Sequence, residues 1–175
     1  MDTYFKKVTK PTDDLIQSLN KWENDPNLVH LIHPCRDKEE LALKVCITKE
    51  ALTSRLDIQP MFLIYVGNIL VGEMNYIVDP DHLYKKEEGT AWIGITIGEK
   101  EAQGKGIGYA ALTFLETELK KQGIKRIELG VFAFNTNAQK LYKKLGYKEI
   151  GKNKDFTYYQ EKMWDDIRME KYLNS

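Results

Sequence analysis

The sequence predicts a mixed α/β or α+β domain, in which helices flank a single sheet. Three observations predict this class. The length of 175 residues is near the usual size of one domain. Strand-like apolar runs are followed by helical patterns, and no repeat, low-complexity tract or Pro/Gly/Ser linker divides the chain. We therefore predict one domain over residues 1–175 in which a hairpin is followed by strand, helix, strand, helix and strand.

The N-terminal third is predicted to contain a short strand and two helices. The strand is expected from Tyr4 to Val8. Pro11-Thr12-Asp13-Asp14 then supplies a cap and an acidic first turn for a helix that ends near Glu23. Between Lys38 and Leu56, four apolar residues fall within one stripe at 100° per residue, which predicts a second, amphipathic helix: Leu41, Val45, Leu52 and Leu56.

The middle of the chain is predicted to form three strands. Met61 to Val66 and Ile69 to about Val78 are joined by the turn Gly67-Asn68, which makes a hairpin. A polar, acidic connection over Asp79–Glu88 leads to a third strand, Ala91 to Ile97.

The C-terminal part alternates helices and strands. One helix face carries Gly108, Leu112, Leu115 and Leu119, and Gly123 ends that helix. A strand from Arg126 to Val131 follows, and then a helix from Asn135 to Leu145 that Gly146 closes. One or two more strands are expected after Tyr147, the last running through residues 166–172.

Charge and hydropathy exclude several classes of function. The 26 basic and 26 acidic residues cancel, and because they are mixed along the chain, there is no basic face of the kind that binds nucleic acid. No apolar run approaches the roughly 20 residues that span a bilayer, and the first residues lack the apolar stretch of a signal peptide. We therefore expect a cytoplasmic protein without nucleic-acid or membrane partners.

The cysteines and histidines do not predict a disulfide or a metal site. Cys35 and Cys46 form no CxxC pair, and two cysteines are too few for a disulfide framework. His30 and His33 lie near Cys35, but no second ligand pair follows at zinc-site spacing and Pro34 interrupts helical presentation. We expect plain thiols and no bound metal.

The clearest chemical signal is a glycine-rich turn between a strand and a helix. A six-residue loop over residues 98–103 leads to Gly104, Gly106 and Gly108. Glycines at alternate positions allow positive φ angles and the close approach of a bulky anion. The helix N-terminus adds partial positive charge and Lys105 adds a full one. A diphosphate is the natural ligand, although three glycines can also form a plain surface loop.

Two other phosphate motifs do not fit this turn. The chain has no G-x-x-x-x-G-K-[ST], and its spacing is G-x-G-x-G, with Tyr109 where the last glycine of a dinucleotide fingerprint would fall. A Rossmann site also belongs in the first βαβ unit of a repeated parallel sheet, whereas this turn follows more than half the chain. The sequence therefore predicts a nucleotide other than NAD.

Two spaced motifs resemble those of the GNAT superfamily of N-acetyltransferases. Gln103-x-x-Gly106-x-Gly108 is similar to the family's Q/R-x-x-G-x-G/A pyrophosphate loop, and Asn135-x-x-Ala138-x-x-Leu141-Tyr142-x-x-x-Gly146-Tyr147 to its N-x-x-A-x-x-L-Y-x-x-x-G-F stretch. Residues 95–101 look most like the branch that includes ribosomal-protein, spermidine and aminoglycoside acetyltransferases. The resemblance implies a mostly antiparallel sheet, splayed at the cofactor strand, and acetyl-CoA as cosubstrate.

The resemblance also implies roles for individual residues. Backbone groups of Ile95, Thr96 and Ile97 would bind the pantetheine arm as an extra strand, while their side chains can still pack in the core. Asn135 matches a polar contact to the cofactor and is equally well placed to cap the next helix. The pyrophosphate would lie on the turn, whose members are Gln103, Gly104, Lys105, Gly106, Ile107, Gly108 and Tyr109.

Tyr142 is the predicted general acid for the departing CoA thiolate. A phenol with a pKa near 10 is protonated at neutral pH, but a thiolate whose acid has a pKa of about 8.5 is a weaker base than phenolate. Full proton transfer is therefore uphill by roughly 2 kcal/mol unless burial raises the pKa of the thiol. Tyr142 can instead act mainly as a hydrogen-bond donor, and aromatic packing between Leu141 and Leu145 is the structural alternative.

A general base is also required. An acceptor amine with a pKa near 10.4 has to lose a proton, which costs about 4 to 5 kcal/mol at pH 7. Glu73, which alternates with Val71 on a central strand, is the first candidate, and a solvated or paired structural role is its alternative. Glu128 is the second. Gly130 stands where some ribosomal-protein acetyltransferases of the family carry a glutamate, which argues against a ribosomal protein as acceptor.

The acceptor pocket is expected between the N-terminal helices and the loop Asp79–Glu88. The loop's four acids, Asp79, Asp81, Glu87 and Glu88, suggest a cationic acceptor such as a polyamine or an aminoglycoside, with a peptide or protein amine as the rival. A non-catalytic CoA-binding module and a dinucleotide oxidoreductase are further alternatives. The expected partner is thus a small-molecule or peptide amine, and a monomer and a homodimer both stay open.

Overall fold

A computed structural model describes residues 2–173; Met1, Asn174 and Ser175 lie outside the described residues. The strands are β1 (Thr3–Lys7), β2 (Met61–Val66), β3 (Ile69–Val78), β4 (Thr90–Ile97), β5 (Arg126–Phe132), β6 (Lys148–Tyr159) and β7 (Lys162–Tyr172). The α-helices are α1 (Asp13–Glu23), α2 (Val29–Ile32), α3 (Lys38–Ala42), α4 (Lys49–Ile58), α5 (Ile107–Lys121) and α6 (Thr136–Lys144), and a 3₁₀ turn spans Lys100–Ala102. The predicted succession of hairpin, strand, helix, strand and helix is confirmed.

The strands form one mixed sheet in the order β1-β2-β3-β4-β5-β7-β6. Every neighbouring pair is antiparallel except β4 and β5. These two strands pair only at their beginnings, from Thr90↔Arg126 to Trp92↔Glu128. Beyond Trp92, β4 stays paired with β3 and β5 with β7, so a gap opens between β4 and β5. The splayed, mostly antiparallel sheet is therefore as predicted.

The sheet separates two apolar cores. Because successive strand residues face opposite sides, Ile64 and Met74 pack with α5 in one core, and Met61 and Leu63 pack with α1 and α4 in the other. The buried members of α5 include Leu112, Leu115 and Leu119, as the predicted apolar stripe requires. Each face of the sheet therefore has its own helical layer, and the gap between β4 and β5 lies between the two layers.

The single helix predicted from Lys38 to Leu56 is wrong. The structure divides this region into α3 and α4, with residues 43–48 outside any helix. Asn20 of α1 and Asn24, which caps the C-terminus of α1, hold this connection through paired hydrogen bonds, Asn20 to the backbone of Ile47 and Asn24 to that of Val45. Long-range hydrogen bonds thus override the helical periodicity. Val45 is consequently exposed, not part of an apolar stripe.

The other differences are small. α1 begins and ends as predicted, and the Thr12 hydroxyl accepts a hydrogen bond from the Leu15 N–H at 3.3 Å. The C-terminal region forms two strands, β6 and β7, joined as a hairpin. The short helix α2 had no counterpart in the predicted elements. Among residues 2–173, no helix combines the length and the apolar character that crossing a membrane would need.

Candidate active site

The glycine turn leads directly from the end of β4 to the first residue of α5. Gly104 and Gly106 have φ angles of +70° and +79°, in the left-handed region that favours glycine. A Cβ atom built at either position would meet no atom within 4 Å, so both glycines border open space. At Gly108 a Cβ would lie 3.1 Å from the Leu141 side chain, so this glycine lets α5 and α6 approach closely. The turn is therefore accessible and conformationally specific to glycine.

The first turn of α5 offers backbone donors to an anion. Gly106 occupies the N-cap position, and no side chain caps this helix. The N–H groups of the first helical residues have no partner within a helix, and they carry its partial positive charge. Lys105 is exposed beside them. Sequence reasoning missed Lys144, whose ammonium lies 5.1 Å from the centre of the Tyr109 ring and adds a second cation near the turn.

The end of β4 presents alternating backbone groups to its two neighbours. The Gly98 N–H donates to the Val71 carbonyl on β3 at 2.8 Å. Because hydrogen-bonded pairs alternate along an antiparallel ladder, the backbone groups of Thr96 face Glu73 on β3, whereas those of Ile95 and Ile97 face the gap. The Gln103 side chain donates to the Ile97 carbonyl at 3.0 Å. Thr96 was predicted to bind the pantetheine arm together with Ile95 and Ile97, but its backbone groups face β3 and not the gap.

Tyr142 and Asn135 lie on the same side of the sheet as the glycine turn. Tyr142 is buried in the core that contains α5 and lies edge to face with Tyr147, at 5.8 Å between ring centres. Burial raises the pKa of Tyr142 to about 12. Asn135 is the N-cap of α6, and its side-chain oxygen accepts a hydrogen bond from the Ala138 N–H at 3.2 Å. The capping alternative for Asn135 is therefore realised.

Glu73 lies on the opposite face of the sheet, in a small cavity. Its neighbours in the cavity wall are Leu19, Trp22, Glu23, Ile32 and Thr96. The cavity measures about 10 Å³, which is about the room that one water-sized group needs. Thr96 lines this cavity, while Ile95 and Ile97 pack against the core on the other face. Two carboxylates, Glu23 and Glu73, therefore face one small space beside the strand that borders the gap.

Burial dominates the electrostatics of Glu73. Desolvation raises the pKa of the Glu73 carboxyl to about 7, against the opposing effects of a hydrogen bond from Asn75 and of the Arg55 charge. The Asn75 amide donates to both carboxylate oxygens, at 2.9 and 3.1 Å. A carboxyl whose pKa is near neutral can take up and release a proton at physiological pH.

The wall opposite Glu73 comes from the N-terminal helices. Glu23, the last residue of α1, is buried and pairs with His33. Trp22 is 1% exposed, and its indole N–H donates to the Glu99 carboxylate at 2.9 Å. Glu23 was missed by sequence reasoning because its position at a helix end gives no signal. Asn75 lies two residues after Glu73 and therefore on the same face of β3. The two-residue alternation of a strand could have identified Asn75 from the sequence.

Glu128, the second candidate base, is saturated with partners. It is 0% exposed, pairs with Arg126 at 2.6 Å and Arg168 at 3.4 Å, and accepts hydrogen bonds from the backbone N–H groups of Tyr84 and Lys85. These contacts tie the loop before β4 to β5 and β7. Glu128 therefore has the paired structural role that was the alternative for a strand-borne glutamate.

The acidic loop Asp79–Glu88 does not join the N-terminal helices in one pocket, contrary to the prediction. Its own cavity of about 240 Å³ is lined by residues of the loop alone. The loop precedes β4 and the glycine turn follows it, so the eight residues of β4 separate them. Two of its acids are engaged locally: Asp79 accepts from the N–H groups of Gly89 and Thr90, and Glu87 accepts from the Tyr172 hydroxyl. The N-terminal helices face Glu73 instead.

Gly130 has a packing reason of its own. A Cβ atom there would lie 2.7 Å from a carboxylate oxygen of Asp166 and 3.0 Å from the Trp92 ring. Asp166 is buried and accepts from the Arg168 Nε at 2.6 Å. Asp166 thus occupies the space that a side chain at position 130 would need, and burial raises the pKa of the Asp166 carboxyl despite Arg168.

Comparisons with known proteins agree with this architecture. The chain is 32% identical over 94 residues to the spermine/spermidine N(1)-acetyltransferase of Bacillus subtilis (strain 168), a match over 53% of this chain and 61% of the relative. The chain thus matches less than two thirds of the length of that curated relative. In fold, it superposes on an N-acetyltransferase from Staphylococcus aureus Mu50 with a TM-score of 0.76 at 18% identity, covering 99% of this chain and 100% of the other.

A second solved structure has the same fold and contains ligands. It is the spermidine N-acetyltransferase from Vibrio cholerae in complex with CoA and spermine, with a TM-score of 0.75 at 18% identity, covering 98% of this chain and 95% of the other. The model of the acetyltransferase (GNAT) family matches residues 16–147, which include the glycine turn, Glu73 and Tyr142. The chain belongs to the acetyltransferase (GNAT) family.

Proposed function

We propose that this protein transfers the acetyl group of acetyl-CoA to a primary amine of a cationic small molecule, with polyamines as the favoured class. One observation carries the proposal: the glycine turn and Tyr142 lie on one face of the sheet, the Glu73 cavity lies on the other, and the gap between β4 and β5 lies between them. A donor thioester that reaches into this gap from one side can meet an amine that enters from the other.

The donor side fits a diphosphate followed by an extended arm. The turn from Gln103 to Gly108 would receive the pyrophosphate through backbone N–H groups, with Lys105 as a cation. Ile107 and Tyr109 continue this turn into α5. Ile95 and Ile97 would then pair with the pantetheine amides, since their backbone groups face the gap. The Asn135 oxygen caps α6, which leaves the NH₂ end of its amide for a cofactor contact.

The acceptor side fits an ammonium group. The cavity volume of about 10 Å³ suits a group of the size of NH₃⁺, and the carboxylates of Glu23 and Glu73 would favour its charge. Glu73 would then accept the proton. Its pKa of about 7, against 4.5 for an ordinary glutamate, makes proton transfer from the amine less uphill by about 3 kcal/mol.

The chemical step then needs a donor for the leaving group. The neutral amine would attack the thioester carbonyl, the bond from that carbon to the sulfur of CoA would break as the amide forms, and negative charge would develop on the sulfur. The proton that the attacking nitrogen then loses would pass to this sulfur, so that CoA leaves as a thiol. Tyr142 keeps its proton at any physiological pH because burial raises its pKa to about 12. It would therefore stabilise the thiolate as a hydrogen-bond donor more than as a proton source.

A screen of acceptors with acetyl-CoA and a thiol-detecting dye tests this proposal. We expect CoA release with spermidine or spermine, slower release with aminoglycosides and with peptides bearing a free amine, and none with Glu73→Gln, which has nearly the same size. Tight binding of acetyl-CoA without CoA release in the presence of any amine would identify a CoA-binding module instead. Preferential thermal stabilisation by NADH would favour an oxidoreductase.

A further inference from the structure

We propose that Asn75, Gln59 and Arg55 are positioning residues, which hold the Glu73 carboxylate in one orientation and in its ionised form through a directional chain of hydrogen bonds. The inference deepens the proposed function and rests on the role of Glu73 as base. None of the three residues belongs to the cofactor turn, and two of them come from α4 and the residue that follows it.

The chain of hydrogen bonds runs without interruption from α4 to the Glu73 cavity. The Arg55 Nε donates to the Gln59 side-chain oxygen at 3.1 Å. The Gln59 amide nitrogen donates to the Asn75 side-chain oxygen at 2.6 Å. The Asn75 amide nitrogen donates to both oxygens of Glu73, at 2.9 and 3.1 Å. Four side chains are thus connected by four hydrogen bonds, of which the last two both join Asn75 to Glu73.

The two ends of the chain determine its direction. A guanidinium can only donate hydrogen bonds, and an ionised carboxylate can only accept them. The two amides between them must therefore each present oxygen toward Arg55 and NH₂ toward Glu73. If either amide rotated, one junction would bring two donors together and another two acceptors. The chain is therefore matched to the ionised form of Glu73, and its dipoles point from the cation to the anion.

Local packing supports the same arrangement. Asn75 pairs across the sheet with Gly94 on β4. A Cβ atom at position 94 would lie 3.1 Å from the Asn75 side-chain oxygen and 3.3 Å from its nitrogen. The Asn75 amide thus lies across Gly94, close to the point at which β4 leaves β5. Asn75 is 6% exposed, so water does not compete readily for its hydrogen bonds.

The groups that face Glu73 come from every element packed on it. Burial raises the pKa of Glu73 most strongly, and Glu23 of α1 raises it further. The Asn75 hydrogen bond, Arg55 of α4 and His33 after α2 lower it. Without this chain of hydrogen bonds, the effects of burial and of Glu23, which raise the pKa of Glu73, would therefore be less opposed. Glu73 would then become ionised only at higher pH, and activity that depends on its ionised form would appear later as the pH rises.

The test follows the carboxyl of Glu73 directly, by ¹³C NMR titration of protein labelled at glutamate, with Glu73→Gln to assign the signal. Gln59→Met keeps the size of the side chain and removes both hydrogen bonds. Arg55→Met removes the charge, and Arg55→Lys restores it. Lys49→Met, at the other end of α4, is the matched control. We expect the titration midpoint to rise by roughly 0.5 to 1 pH unit in the two methionine variants at positions 55 and 59.

The remaining variants separate this role from a merely structural one. Arg55→Lys should return the midpoint most of the way to that of the wild type, and Lys49→Met should leave it unchanged. The midpoint of the acid limb of kcat/KM for spermidine should shift among these variants in the same order as the NMR titration midpoint. Midpoints that stay unchanged in Gln59→Met and Arg55→Met, in protein that remains folded by circular dichroism, would overturn the inference. If the midpoints move but Glu73→Gln acetylates spermidine at the wild-type rate, the chain of hydrogen bonds stands and the base assignment fails.

Discussion

Replacing Tyr142 with phenylalanine removes one hydroxyl from a buried position on α6 and leaves the ring in place. If the phenol had to give up its proton fully, the step would be uphill by about 5 kcal/mol, because its pKa of about 12 far exceeds the roughly 8.5 of a thiol. A hydrogen bond donated to the developing thiolate is the more economical role. Such a bond to a charged group contributes about 1.5 to 3 kcal/mol.

That energy corresponds to a decrease in kcat of about 10- to 150-fold in Tyr142→Phe. The bond strengthens only as the sulfur acquires charge, so the dissociation constant of acetyl-CoA should stay within about twofold. Turnover is measured by thiol release at saturating substrates, and binding is measured by calorimetry. Because the pKa of Tyr142 lies near 12, the wild type should also have no alkaline limb from this residue below about pH 10.

Tyr147→Phe is the matched control. Tyr147 lies against Tyr142 in the same core and is buried. Burial and the charge of Glu116 raise the pKa of its hydroxyl, so its surroundings differ from those of Tyr142. Removal of this hydroxyl should leave kcat within about twofold. The reasoning is refuted if Tyr142→Phe turns over at the wild-type rate, or if both phenylalanine variants lose activity equally.

Three further predictions concern stability and cofactor binding. Glu73→Gln should stabilise the fold by about 3 kcal/mol at pH 8 and by little below pH 4.5. Because the pKa of the buried Glu73 carboxyl is raised to about 7, the free-energy cost of ionising it is absent at low pH and grows as the pH rises to 7. Urea denaturation at the two pH values measures this difference, and equal stabilisation at both would contradict it. Glu128→Ala should lower the free energy of unfolding by about 3 to 5 kcal/mol, since it leaves two arginines without their shared carboxylate; a loss below 1 kcal/mol would count against a structural role. Gly106→Ala should weaken acetyl-CoA binding at least about tenfold by obstructing the phosphate site, whereas Gly123→Ala, with the same φ of +79° and the same open surroundings, should bind normally.

Local patterns were sufficient for most of the fold and to propose a donor side of the site. The hairpin, α5 and α6 follow from apolar periodicity and glycine stops, which act within a few residues. The glycine turn is likewise a contiguous segment, so its spacing alone indicated a diphosphate. The region from Lys38 to Leu56 was predicted as one helix because its periodicity was judged without the side chains of Asn20 and Asn24, which hold the connection from a distance.

The acceptor side depends on contacts between distant segments. Glu73 stood out as a carboxylate on a central strand, but Glu23 and Arg55, which act on its charge, come from helices whose placement no local pattern reveals. The loop Asp79–Glu88 attracted attention through its composition, yet Glu128 and Arg168 tie it to the other end of β4. Charge composition suggested a cationic acceptor, whereas the position proposed for its pocket depends on the topology of the sheet.

Trp22 belongs to both halves of the site. It lines the Glu73 cavity, a side chain on Gly98 would overlap its ring, and it donates to Glu99 at the start of the loop before the glycine turn. These contacts connect that loop to the end of α1. If CoA and the amine bind as proposed, an adjustment that CoA imposes on the loop would be transmitted to the space offered to the amine. By thermodynamic reciprocity, the amine would then change the affinity for CoA by the same factor that CoA changes the affinity for the amine.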